Sequence, residues 1–538
     1  MSWTALVGAS MRRLLTRRIT LLGDNAYWST NTPAIQIRQL RRLLHRARDT
    51  EFGHQHDFPA LLRRPDHELI DAYTRATPIA TYDDLKPQLE RMRRGGETDI
   101  CWPGLVRDWA QTSGTTAGDK YVPVSRQLLA HNRKASFDIF AHAHRMGVSL
   151  TDLFAGRMLF LGGSTDLEEN EFGVRTGDLS GIVTQLITWP LTSVYLPGRD
   201  IALMSDWPAK IDAMARACLD QDVRLVSGMA SWSLVLFERM VELAQQQGRD
   251  VTTLEQIWPN LTLFVHGGVR YDPFEHRVRK AWSGSAEGND VPRRLEVYPA
   301  SEGFIAMQDT RGDPGLRLNI DHGIFYEFVP VEQIHDATPD VFTCWQVVPD
   351  QRYVVVMSTP AGMWRYIIGD VVQFESIPDG SASGSSARLR IVGRHRLFIN
   401  AFGENIIVEH IENAVVRASK ETGHFAGEFT AAPVYPDATR RAGLELIVEC
   451  DDPSFDPSLF SDAFDRAIKA QNNDYTAKRA GDAGMAPPTI TRVPTGTLHD
   501  WMASRGKLGG QHKCPRCANN REFVDQILSS VEPSARPT

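Results

Sequence analysis

Leu40, Leu43 and Leu44 recur at helical spacing among arginines, the pattern of a helix with one buried stripe. Thr32-Pro33 just upstream reads as a cap followed by proline at the first helical position, where no backbone N–H is needed. A second helix, PAKIDAMARACLDQD, is predicted from Pro208, and a third, WSLVLFERMVELAQQQG, stops at Gly248. Short apolar runs lie between and after them: RLVSG, LTLFVHGG and RLEVYPAS read as strands. From Phe325 the spacing changes. FYEFVPVE, RYVVVMST, DVVQFES and LRIVG are dense in β-branched and aromatic residues and are separated by turn residues. Helix–strand alternation followed by an antiparallel-looking stretch predicts a mixed α/β domain.

PDGSASGSSAR at 378–388 is the one low-complexity piece and reads as a hairpin tip. A domain boundary is expected near 394–402, GRHRLFINA, dividing the chain into 1–396 and 397–538. Beyond it come the helix VEHIENAVVRAS, the strand LELIVEC, the helix LFSDAFDRAIKA, and a last strand after the Gly/Pro-rich GDAGMAPPTI.

Composition narrows the class. At 538 residues the chain is too long for one core. A net charge of −7 argues against broad nucleic-acid binding, which needs a basic face. No apolar run approaches the length of a membrane span. MRRLLTRRITLLG near the N-terminus reads as a surface helix, with peripheral membrane contact as the lesser alternative. Six cysteines in so long a chain do not make a disulfide framework. A cytoplasmic protein with no integral membrane segment and no obligatory protein partner is expected.

Four segments could carry chemistry. WAQTSGTTAGDKYVPVS at 109–125 holds a Ser/Thr/Gly knot running into Lys120. It is not a Walker A loop, since Gly114 and Gly118 are one residue too close and no GK[ST] occurs. Such a turn can still aim backbone N–H groups and hydroxyls at phosphate oxygens; the plain alternative is an ordinary loop. VYPASEGFIAMQ places Glu302 at the end of a strand, where a carboxylate can hold a phosphate-bridging cation or merely cap a turn. MWRYIIGDVVQF sets Asp370 after a glycine and before an apolar strand, suited to a ribose diol or to a simple turn. GGQHKCPRC leaves Lys513 in a glycine-opened, proline-stiffened loop near the C-terminus, where a solvated lysine is the alternative. CPRC lacks the second cysteine pair of a structural zinc site. No HExxH, triad pattern or nucleophile elbow is present, GGSTD at 162–166 included. DLEEN at 166–170 reads as a solvated loop.

In this order and spacing, the four segments resemble the phosphate loop, metal glutamate, ribose aspartate and C-terminal lysine of the adenylate-forming superfamily. Within it the chain is similar to the acyl-acid amido synthetase family, whose plant members are the auxin-responsive Gretchen Hagen proteins, and closest to its bacterial branch. DTEFGHQHDF, TPIATYDDLKPQLERM, YPASEGF, STPAGMWRYIIGDVVQF, NAFGEN and KLGGQHKCPRC extend the likeness from about Leu40 to about Arg521.

The resemblance implies a large N-terminal α/β domain of the firefly-luciferase-like type and a small mobile C-terminal α+β domain. It implies ATP, Mg²⁺, a small acyl acid and an amino acid as ligands, with no nucleic acid. Ser113, Gly114, Thr115, Thr116 and Gly118 would cradle phosphates, Glu302 would ligate Mg²⁺, and Tyr298, Ser301 and the Gly267-Gly268 backbone would lie near the nucleotide. Asp370, helped by Arg394, would take the ribose, and Lys513 would bring charge to the phosphates. Family members adenylate an acid and let an amine displace AMP. Two departures stand out. Many plant members read GEK where this chain has GEN, with Asn405. The GK lysine of acyl-CoA ligases has only PTGTLHDW in its place, which counts against thioester formation. A thioester ligase and a weakened nucleotide-binding homologue are the alternatives.

Overall fold

A computed structural model describes residues 3–531 except 113–119, 163–166, 186–190, 205–206, 269–270, 335, 395–397, 400–405, 436–440, 473–474, 477–478, 480–484, 506–513 and 519. Its centre is an eleven-stranded sheet of two characters. Phe325–Pro330, Arg352–Ser358, Tyr366–Ser376, Arg388–Arg394, Leu316–Leu318, Gly303–Gln308 and Arg294–Ala300 follow one another antiparallel. Leu263–Gly267, Val223–Gly228, Arg157–Phe160 and the edge strand Tyr195–Leu196 then continue in parallel. The strand-rich stretch expected from Phe325 thus supplies four of the seven antiparallel strands, the other three coming from 294–318, and the helix–strand alternation before it builds the parallel part.

The parallel strands are apolar on both faces because helices cover both. Phe264, Leu159 and Val226 pack under the helices Trp207–Cys218, Ala230–Gln246 and Glu275–Ser283. Leu263, Val265 and Leu225 face the opposite layer, made by Trp3–Gly23, Arg126–Arg145 and Leu150–Leu153. In the antiparallel half, Tyr326, Phe328, Tyr353 and Val355 share a core with the helices Asn25–Ala47, Asp66–Ala76 and Tyr82–Arg94.

Two local expectations change. Thr32-Pro33 does not open a helix: the helix begins at Asn25, capped by the Asp24 carboxylate, and runs through Pro33 to Ala47. The stripe of Trp28, Ile35, Leu40, Leu43 and Leu44 is buried along its whole length, and that burial outweighs the proline. Side-chain donors serve carbonyls of the preceding turn, Asn31 to Tyr27 O and Thr32 to Trp28 O. The 166–170 stretch contains a short exposed strand, Glu168–Glu169, paired antiparallel with Arg175–Gly177. Arg175–Gly177 in turn joins the hairpin Asp108–Thr112/Lys120–Val124 in a second sheet.

The C-terminal part has its own sheet, Phe429–Val434, Gly443–Glu449 and Thr489–Val493, antiparallel then parallel. Val408–Thr422 and Pro457–Lys469 cover one face, in a cluster drawing on residues from Ile399 to Cys517; Thr497–Ser504 and Glu522–Ser530 cover the other. The ring of His276 stacks on Phe425 at 4.2 Å where this part meets the rest. All six cysteines are free thiols. Cys517 is buried beside Ala431, and burial pushes both CPRC thiols up, so they stay protonated. Residues 378–388 join two antiparallel strands as a hairpin tip should, with Asp379 accepting from Ser29 and Ser381. Among the described residues no helix is long and apolar enough to cross a membrane. The basic N-terminal helix buries Leu15 and Leu22 and leaves Leu14 exposed.

Candidate active site

The four strands 157–160, 223–228, 263–267 and 294–300 run in one sense, so their carboxyl ends open at one side of the sheet. In open α/β sheets this is where ligands settle. The register sets Gly267 opposite Val297. A Cβ on Gly267 would sit 2.2 Å from Val297 O, so only glycine allows the approach; Gly268 follows at φ 82°. Tyr298 is the next residue on the neighbouring strand.

That strand ends at Ala300, which pairs with Gly303, so Ser301 and Glu302 form the tip of a two-residue hairpin. Both are buried. A Cβ on Gly303 would lie 2.3 Å from Ile324 Cδ1, the tip of a buried side chain that would have to move aside. The Glu302 turn is therefore packed closely against Ile324.

Asp370 lies within the strand Tyr366–Ser376, not ahead of it as its glycine suggests. Val356 opposes Ile367 and Val354 opposes Val371, leaving Ile368, Gly369 and Asp370 against Val355 alone. Gly369, at φ 96°, makes this bulge, which re-aims the aspartate. The buried Asp370 accepts from the Tyr298 hydroxyl at 2.6 Å and stands opposite Arg394 in the ladder. Tyr298, Asp370, the Arg394 backbone, Gly268 and the Ser301–Glu302 turn are thus brought together.

Ser113, Gly114, Thr115, Thr116, Gly118, Lys513 and Asn405 lie outside the described residues. The hairpin that carries the first five is firmly seated. Thr112 pairs with Lys120. The Tyr82 hydroxyl accepts from the Tyr121 N–H at 2.9 Å, and the Arg93 guanidinium covers the Tyr121 ring at 3.7 Å. The chain then passes through Ser125, which caps the helix Arg126–Arg145 and donates to Pro360 O.

Sequence reasoning missed two anchors of this site. His131, on that helix, accepts the Phe304 N–H at 2.7 Å, two residues beyond Glu302. Arg365, at φ 42°, is buried against Glu327 at 3.0 Å and donates to Thr74 O and Thr77 O, five residues before Asp370. The signals were only a histidine on a helix that carries two more, His142 and His144, and an arginine just ahead of an apolar strand.

No group of three or more His, Cys, Asp or Glu able to hold a metal occurs among the described residues. Magnesium in phosphate chemistry takes one or two carboxylates and completes its shell with phosphate and water. A single buried carboxylate at a hairpin tip fits that donor set and not a dedicated protein cage.

The sequence matches the GH3 family N-terminal domain over residues 27–195, its central domain over 318–381 and its C-terminal domain over 409–522. The chain belongs to the GH3 family. This GH3 chain is 21% identical to indole-3-acetic acid-amido synthetase GH3.3 of Arabidopsis thaliana, over 98% of its own length and 96% of the relative's. It is 22% identical to indole-3-acetic acid-amido synthetase GH3.8 of Oryza sativa subsp. indica, over 94% and 91%. The fold is similar to that of GH3.15 acyl acid amido synthetase, with a TM-score of 0.76 at 16% identity over 97% and 96% of the two chains. It is also similar to 2-hydroxyisobutyryl-CoA ligase, with a TM-score of 0.52 at 13% identity over 92% of each.

Proposed function

We propose that this GH3 chain is an ATP-dependent acyl-acid amido synthetase. A substrate carboxylate attacks the α-phosphorus of ATP and pyrophosphate leaves; the amine of an amino acid then attacks the acyl carbon, loses a proton and expels AMP. The observation that carries the reading is the Tyr298–Asp370 contact beside the Glu302 turn. It sets a carboxylate suited to a ribose diol against an aromatic ring on the strand that ends in the Glu302 turn, which supports this reading.

In this reading Asp370 accepts from the ribose hydroxyls while Tyr298 holds its other oxygen, with Arg394 and Ser301 alongside. The Gly267-Gly268 backbone, bare of side chains, lies near adenine. Ser113, Gly114, Thr115, Thr116 and Gly118 direct donors at the phosphates. Bound Mg²⁺ would be held by Glu302 and would spread the charge of the phosphoryl oxygens. Lys513 adds a second positive charge from the C-terminal unit, here taken as 397–538 hinged on 1–396. Closure of that unit would keep water from the mixed anhydride.

The test is pyrophosphate release from ATP with aromatic, jasmonate-like and fatty acids, each offered with an amino-acid mixture or with CoA. Release that rises with amino acid and not with CoA is expected. Stimulation by CoA alone would assign the chain to thioester synthesis. Nucleotide binding without acid-dependent exchange would make it a non-catalytic homologue.

A further inference from the structure

His131 joins the two halves of the site. It lies one turn and a half into the helix that the phosphate-loop hairpin feeds directly, and its ring is buried. Nε2 accepts the Phe304 N–H at 2.7 Å, and Nδ1 donates to His322 O at 2.8 Å. One nitrogen accepting and the other donating requires the neutral ring in a single tautomer. Burial, with His322 adding to it, pushes His131 down to about 3, so the ring stays neutral in the working range.

The anchorage behind it is extensive. His322 Nε2 meets Asp138 Oδ2 at 2.8 Å, and Arg18 binds both Asp138 and Asp321. Lys134, one turn along the same helix, holds Asp321 at 2.8 Å. On the front side, the hairpin register slips between Phe304 and Ala306. At that irregularity the imidazole takes the Phe304 N–H.

We propose that His131 is a positioning residue that fixes the Ser301–Glu302–Gly303 turn to the helix Arg126–Arg145, which directly follows the strand Lys120–Val124. It thereby holds the metal carboxylate at a set distance from the phosphates. This inference rests on the nucleotide reading above, since only a ligand spanning both pieces needs that distance kept.

Two substitutions separate the bonds of the ring. Asn places a donor where Nδ1 lies and keeps the bond to His322 O but offers Phe304 nothing. Gln places an acceptor where Nε2 lies and keeps Phe304. His131→Asn should raise the half-saturating Mg²⁺ for acid-dependent pyrophosphate exchange roughly tenfold, the share of one buried hydrogen bond. His131→Gln should stay within about twofold, with Tm values of the two variants alike. Two readouts need no turnover: Mn²⁺–ATP binding followed by electron paramagnetic resonance, and hydrogen exchange of the Phe304 amide. Both should weaken in His131→Asn and hold in His131→Gln. Unchanged behaviour of His131→Asn overturns the proposal, as does an equal loss in both variants. If the parent protein lacks acid-dependent exchange, the amido-synthetase reading fails, while amide exchange and Mn²⁺–ATP binding still decide the role of His131.

Discussion

The Tyr298 hydroxyl reaches Asp370 Oδ2 at 2.6 Å although three strands lie between theirs in the sheet order. Four interstrand spacings in a flat sheet would part the two backbones by roughly 19 Å. The sheet therefore curls at its antiparallel end, and the curl brings the strand of Tyr298 to that of Asp370. Tyr298 and Ile305 share one core with Leu318 and Tyr353 inside it.

Tyr298→Phe keeps the ring and removes the donor to a buried carboxylate. A hydrogen bond to a charged group contributes about 1.5–3 kcal/mol, so KM for ATP should rise roughly tenfold or more. The turnover number should fall less, because the ring still packs. Steady-state pyrophosphate release at varied ATP measures the split; an unchanged KM would show that Asp370 does not meet the ribose through this pair.

Glu302→Gln preserves shape and removes charge at the tip of a two-residue hairpin. Adenylation should fall at least about a hundredfold, in line with losing one preorganised charge contact. The thermal midpoint should stay within a few degrees of the parent. Magnesium titration of the residual activity should show no saturation at concentrations that saturate the parent. Full activity would remove the metal role of Glu302.

Much of this arrangement is legible in the sequence because burial writes itself into composition. The four apolar runs after Phe325 become adjacent strands, since a strand buried on both faces has little freedom in its residues. Glu302 and Asp370 stand out as acids in apolar frames. What is not legible depends on distant partners. His131 meets Phe304 across 173 positions, and no local pattern marks it. Thr32-Pro33 carries a strong start signal, but a stripe of leucines beyond it and Trp28 before it pull the helix through. Asp370 looks like a residue before a strand because a bulge glycine and a turn glycine are spelled alike.

The buried pair behind Asp370 offers a test of folding. Glu327 and Arg365 side chains are 1% and 4% exposed, so neither charge is shared with water. Glu327→Gln leaves a guanidinium buried without its counter-charge and should cost about 3–5 kcal/mol in urea unfolding. Glu327→Met with Arg365→Met should recover most of that, because the double variant buries no charge. A single-variant cost below about 1 kcal/mol would mean that water reaches the arginine once its partner is gone.

Acid should act on this fold through its buried histidines. Burial, reinforced by Arg294, pushes His266 down to about 3; His131 is likewise pushed down to about 3. In the unfolded chain each titrates near 6.5, so between about pH 6.5 and 3 the unfolded state carries a proton that the native state does not. Stability is then complete above about pH 6.5 and declines as pH falls, by about 1.4 kcal/mol per unit for each such histidine. His266 is the better probe because its ring packs against Phe264 and Tyr271, whereas His131 bonds the Phe304 N–H beside the Glu302 turn. At pH 5, unfolding by urea in unbuffered solution should take up about one proton fewer in His266→Gln than in the parent. An equal uptake would show that His266 is already protonated in the native protein and that Asp272, not burial, governs it.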